Sequence, residues 1–271
     1  MTLLIKIGNF DFTECWDGVL YKKLSHYPDI TEWEMQSIYD FINYEKRYGR
    51  LCRIETEESI AAKLDSYKEK YNAGVRIPVP TKITECSACS KYKGCMTDLV
   101  CHTSSVEDAV SIFGCGSLLS AVLARKKSAA ELRAEKRNAA NDPEDYFYYV
   151  MFSWGNCQAG DRLVTERRLG RFPDEKDLGA DLMPGVRFFF RYDRIIKHPS
   201  AVFDGVLPLK IKDEVVLKEW VHCIIVPEIY RDIVKDHIPD ELNGKVFYIK
   251  NDCTDIWEWS EKVYEFAKKI G

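Results

Sequence analysis

From residue 146 onward the chain is written in short aromatic and β-branched runs, and no other feature constrains its fold as much. The runs fall at 146–154, 186–192, 202–209, 214–217, 220–226 and 245–249. Val, Ile, Phe, Tyr and Trp fit the pleated, half-buried surface of a strand, so this texture predicts a sheet-rich second half. Before it, the periodicity is helical. Thr31-Glu32-Trp33-Glu34 has capping-box spacing and is followed by Met35, Ile38 and Ile42 on one face, which predicts a helix over 32–48. Ile60, Leu64, Tyr67 and Tyr71 repeat at the same period and predict a second helix from about 56 to 72, closed by Asn72 and Gly74.

Residues 1–7 and 99–103 read as short buried strands, and 106–112 as a short helix ending near Gly114 and Gly116. Ala, Leu, Lys, Arg and Glu crowd 118–140, which predicts a helix closed by Asn141-Asp142-Pro143. A last amphipathic helix is expected over 255–270, with Ile256, Trp259, Val263 and Phe266 along one face. At 271 residues and 46% hydrophobic content the chain can bury one sizeable core, or a main domain with an appendage. The expectation is an α+β fold with an N-terminal helical cap region over 1–80 and a main domain over 81–271. No segment approaches the roughly 20 apolar residues of a membrane span, and 1–11 lacks a basic flank leading into an apolar stretch. A soluble, cytoplasmic protein is expected.

The densest chemical signal lies just ahead of the strand at 99–103. Cys86, Cys89, Cys95 and Cys101 follow a C-x2-C-x5-C-x5-C spacing. Thiolates this close repel unless they are oxidised, protonated or neutralised by a cation, and zinc is the simplest cation to propose. An iron–sulfur cluster also fits four thiolates, and buried free thiols or a labile disulfide are the plain alternatives. Cys15, Cys52, Cys115, Cys157, Cys223 and Cys253 are scattered singly and read as free thiols. A net charge of −4 argues against wholesale coating of nucleic acid. Even so, Arg125, Lys126, Lys127, Arg133, Lys136, Arg137, Arg162, Arg167, Arg168 and Arg171 gather in 125–171 and could form a local basic face for phosphates.

Four motifs follow in order: Cys101-His102-Thr103-Ser104, Phe152-Ser153-Trp154-Gly155, Asp213-Glu214-Val215-Val216-Leu217, and Val221-His222-Cys223-Ile224-Ile225-Val226-Pro227. This order resembles the ADP-ribosyltransferase fold, and most nearly its DarT-like group, over about residues 99–227. In that family a His begins the first strand of a split sheet, and a short helix and a Gly-Leu-Leu-type turn follow. Residues 106–120, with Gly116-Ser117-Leu118-Leu119, would supply these. The resemblance implies a split mixed or antiparallel sheet and transfer of ADP-ribose from NAD to a nucleic-acid or protein acceptor. It makes Glu214 the carboxylate that bonds the ribose 2′-hydroxyl, and His102, Thr103 and Ser104 one wall of the NAD site. Ser153 becomes the small residue under the nicotinamide. Arg162 is favoured among Arg162, Arg167 and Arg168 for the family's phosphate- or substrate-binding arginine. A toxin role and an antitoxin partner go with the same resemblance. The cysteine cluster and the N-terminal hundred residues have no counterpart in it.

Each signal has a bland reading beside it. His102 could be a core histidine held by a backbone carbonyl, Glu214 a solvated residue of the charged string 210–219, and Ser153 a small residue packed on an aromatic. Glu219 and Glu228 are runner-up carboxylates. No G-x-x-x-x-G-K-[ST] run is present, and Gly155-Asn156-Cys157-Gln158-Ala159-Gly160 lacks the third glycine of a dinucleotide fold. No H-x-E with P-C-x-x-C is present, which counts against a zinc deaminase. Two competing readings stand beside the transferase: an NAD glycohydrolase with the same site, and a non-enzymatic, zinc-stabilised interaction module.

Overall fold

The computed structural model describes residues 2–10, 13–16, 19–77, 98–135 and 144–270. β1 (Thr2–Gly8) buries Leu3, Ile5 and Ile7 on one face, as a two-residue period requires. β2 (Glu14–Trp16), β3 (Val19–Lys23), α1 (Glu32–Arg47), β4 (Leu51–Glu55) and α2 (Glu58–Asn72) follow. The sheet runs β2-β3-β1-β4, with β1 parallel to both β3 and β4. Parallel β1 and β4 need a crossover between them, and α1 lies on that connection. The expected capping box forms at its start: Glu34 N donates to Thr31 Oγ1 at 3.2 Å and Thr31 N donates to Glu34 Oε2 at 2.9 Å. Ile38 and Phe41 of α1 and Ile60 and Leu64 of α2 close an apolar core over Leu3 and Ile5. The region expected as a helical cap thus holds its two helices on a four-stranded sheet. Strands β2 to β4, at three to five residues and largely half-exposed where described, carry too little periodicity to read from sequence.

The rest of the chain runs β5 (Leu99–Ser104), α3 (Val106–Cys115), β6 (Ser117–Leu119), α4 (Ala121–Arg125), α5 (Ala129–Ala134) and β7 (Tyr149–Trp154). It continues through α6 (Ala159–Leu169), β8 (Val186–Arg191), α7 (Tyr192–Ile195), β9 (Ala201–Val202), β10 (Leu209–Lys212) and β11 (Glu214–Val216). α8 (Leu217–Trp220), β12 (Cys223–Pro227), α9 (Arg231–Val234), β13 (Val246–Ile249) and α10 (Ile256–Lys269) complete it. A seven-stranded sheet has the order β13-β12-β8-β5-β7-β10-β9, antiparallel except where β12 runs parallel to β13. β6 and β11 form a separate antiparallel pair. The architecture is α+β with a mixed sheet. Among the described residues no helix is long and apolar enough to cross a membrane.

Two sequence expectations need correction. The helix expected over 118–140 is instead the end of β6 and two short helices, at least as far as residue 135. Lys126 adopts a left-handed conformation (φ 53°), and Ser128 then opens a new helix through a capping box with Glu131. The strand expected over 202–209 is a loop between β9 and β10, because Asp204 Oδ1 accepts the Val206 and Leu207 amides in a local turn.

The seven-stranded sheet separates two apolar layers. Val100, Phe152, Phe188 and Phe190 face α3 with Ala109 and Phe113. Leu99, Cys101, Phe189 and Cys223 face α10 with Trp259, Val263 and Ala267. Each large side chain fully buried here contributes roughly 1.5–3 kcal/mol. Among these apolar contacts lies one fully buried charge pair. Arg187 of β8 donates from Nε to Asp161 Oδ2 at 2.8 Å, from Nη1 to the Gly155 carbonyl at 3.1 Å, and from Nη2 to Asp161 and to Ser260 of α10. Asp161 also accepts the Gly185 amide at 2.8 Å. The pair locks α6, α10 and the β7–α6 turn to the middle of the sheet. Asp161→Ala leaves a buried guanidinium unpaired, and we expect it to cost about 3–5 kcal/mol in urea denaturation. Combining Asp161→Leu with Arg187→Met should recover most of that loss, and a single variant within about 1 kcal/mol of wild type would show that the pair is not a fastening.

Candidate functional site

The seven-stranded sheet parts at His102. β5 pairs with β7 only through Val100–Trp154 and Cys101–Ser153. Beyond that rung, His102, Thr103 and Ser104 pair with β8 alone, while residues 149–152 of β7 pair with β10 alone. The imidazole spans the opening, with Nδ1 3.0 Å from the Met151 carbonyl. A carbonyl has no proton to give, so Nδ1 carries the proton and donates, which leaves Nε2 with its lone pair. Nε2 has no hydrogen-bond partner among the described residues. The Phe152 ring lies 6.3 Å away, edge to face. Burial is the largest influence on this histidine and lowers its pKa, and the Met151 bond opposes that lowering. Arg167 lowers it slightly further and Asp108 raises it slightly.

Glu214 opens β11, and β11 pairs with the strand that follows α3: Glu214 lies opposite Leu119, Val215 opposite Leu118 and Val216 opposite Ser117. Leu118 and Val215 pack in the same apolar layer as Phe152 and Phe188, so this short ribbon covers the His102 side of the sheet. The Glu214 side chain is exposed and makes no hydrogen bond or ion pair among the described residues. The runner-up Glu228 is held by Arg231 at 2.7 Å.

The sheet separates the other expected residues. Ser104 shares the His102 face, and its hydroxyl donates to the Ser105 carbonyl at 3.1 Å. Thr103 points the opposite way, against Gly160 at the start of α6. A Cβ on Gly160 would overlap Thr103 Oγ1, so glycine is what allows the helix to approach. Ser153 is also on that side, with Oγ 3.3 Å from Cys101 Sγ. His102, Thr103 and Ser104 therefore do not line one wall, because neighbours on a strand face opposite ways. Arg162 is buried in α6 with its guanidinium 4.2 Å from the centre of the Phe172 ring, a packed position rather than an open phosphate contact.

Three of the four cysteines expected to hold zinc, Cys86, Cys89 and Cys95, lie outside the described residues. Cys101 is in the core among Leu99, Phe189 and Trp259, and burial raises its thiol pKa despite the nearby Arg187. In the metal-free protein this burial favours the protonated thiol, whereas a zinc ion would hold it as the thiolate. Among the described residues no three His, Cys, Asp or Glu side chains converge as a metal site. The basic stretch is also partly spent on acids. Arg125 pairs with Asp108 at 3.2 Å, Lys127 with Glu135 at 2.6 Å and Arg171 with Asp177 at 2.6 Å. Lys136 and Arg137 lie outside the described residues.

Sequence reasoning missed Arg187, Asp161, Lys210 and Asp204, whose partners are distant in the chain and leave no local pattern. No family model, curated protein or solved structure matches the chain.

In the unfolded chain His102 takes up its proton near pH 6.5, whereas in the folded protein it does so only at lower pH. The stability tied to its neutral form is therefore full above about pH 6.5 and is lost as the pH falls below that value. His102→Gln should flatten the fall in denaturation midpoint between pH 7 and pH 5, while His198 contributes equally to both proteins. Parallel slopes for the two would refute the buried, neutral imidazole.

Proposed function

We propose that the chain is a mono-ADP-ribosyltransferase that moves ADP-ribose from NAD to a macromolecular acceptor, nucleic acid or protein. Glu214 is the reacting carboxylate, and His102 and Ser104 line the NAD side of the cleft. One observation carries this reading. Glu214 stands on a strand hydrogen-bonded to 117–119, one helix after the strand of His102, and that ribbon lies on the His102 side of a sheet that opens at His102.

The residue types suit the reaction. Breaking the bond between ribose C1′ and the nicotinamide nitrogen sends the electron pair to nicotinamide and leaves an oxocarbenium-like sugar. A carboxylate that accepts the ribose 2′-hydroxyl stabilises this positive charge more than it stabilises NAD itself. The acceptor's nucleophile then bonds to C1′ and gives up its proton. His102, with Nδ1 occupied by Met151, accepts a hydrogen bond from a ribose hydroxyl at Nε2 while staying neutral. Thr103, Ser153 and Arg162 have no part in this reading, for the reasons of position given above.

The test is to incubate the full-length protein with NAD labelled in the adenosine half, together with mixed nucleic acid and protein. Label should enter the macromolecular fraction, and Glu214→Gln should reduce the rate on the order of a hundredfold to a thousandfold. Release of free ADP-ribose alone would make the protein a glycohydrolase. NAD left intact by wild type and variant alike would leave only the interaction module.

A further inference from the structure

Lys210 is fully buried in β10. Its Nζ lies 3.0 Å from Asp204 Oδ2, off the direction of a good hydrogen bond. Three aromatic faces stand where water would otherwise be, with Tyr44, Tyr146 and Tyr149 centred 4.0, 4.4 and 5.0 Å from the ammonium. Tyr44 belongs to α1 of the N-terminal unit. Its hydroxyl donates to Asp145 at 3.1 Å, and Arg50, beside α1, donates to Asp145 at 2.7 Å and also pairs with Glu45. The adjoining loop is seated on the same helix: Phe203 stacks on Trp33, and a Cβ on Gly205 would run into the α1 backbone.

Lys210 also occupies the rung that connects the two halves of the candidate site. It lies opposite Met151, the residue whose carbonyl holds His102. Two residues beyond it β10 ends, and one residue, Asp213, makes the corner into Glu214. Asp213 is left-handed (φ 66°), and its amide and carbonyl are bonded to Tyr148 at 2.9 Å and Ser120 at 2.7 Å. A one-residue corner pinned at both ends has little slack, so movement of β10 moves Glu214.

We propose that Lys210 is the positioning residue for Glu214, clasped by the tyrosine cage so that the N-terminal unit sets where the carboxylate stands. This inference rests on the transferase reading. Its test uses the full-length chain with Lys210→Met, Tyr44→Leu and the double change Lys210→Met with Asp204→Asn, which also removes the stranded acid. Each is assayed well below its melting temperature for kcat and KM of nicotinamide release from NAD, and for amide exchange over 209–216. The expected result is a kcat lower by about a hundredfold with KM changed by less than about threefold. Exchange over 209–216 should quicken by more than about tenfold while 99–104 and 223–227 keep their protection. A merely structural role predicts that the double variant, once folded, recovers wild-type kcat.

Wild-type turnover that is abolished by Glu214→Gln but unaffected in these folded variants overturns the positioning role and leaves the transferase standing. Absence of turnover in the wild type overturns the transferase reading. In that case the positioning role falls with it, and exchange over 209–216 reports only whether Lys210 fixes the strand.

Discussion

Arg187 places a guanidinium near the start of a buried strand, just ahead of three phenylalanines, and the surrounding fold meets the demands of that charge. Removing an ion from water costs several kcal/mol, which is recovered only if its attraction and hydrogen bonds are nearly complete. Asp161, Ser260 and the Gly155 carbonyl provide them from three parts of the chain. In doing so they fix α6, α10 and the turn after β7 against β8. Thr103, Cys101 and Ser153 lie in this same layer, so one face of β5 is committed to holding the protein together.

The opposite face of the sheet packs against α3 and carries His102. β5 and β7 stop pairing after Cys101–Ser153, and the His102 ring takes over a carbonyl at the mouth of the opening. The short β6–β11 ribbon lies over this layer with Leu118 and Val215 turned into it and Glu214 exposed. Burial keeps the imidazole neutral, while the carboxylate faces solvent.

The N-terminal unit has its own apolar core, yet its junction with the rest of the chain is polar. Lys210, Asp204, Glu45, Arg50 and Asp145 meet there within a wall of tyrosines. Charges enclosed in this way tolerate few alternative arrangements, because every shift strands a group without its partner. The junction is accordingly a means of fixing geometry more than a source of net stability.

Local rules were enough to read α1 with its capping box, α2, α10 and the strands at 99–104, 186–191 and 223–227. Their signals, a cap or a dense apolar period, lie within a few residues of one another. The same order of motifs singled out His102 and Glu214. What a strand's period could not assign was which face is free: that depended on Arg187 and Asp161, 26 residues apart, claiming the side of Thr103 and Ser153. The sequence by itself thus determined the best-marked helices and strands and an α+β composition. The tertiary structure decided which face of the sheet each candidate takes, because that choice follows from buried charges finding partners across the fold, and such pairings leave no mark on neighbouring residues.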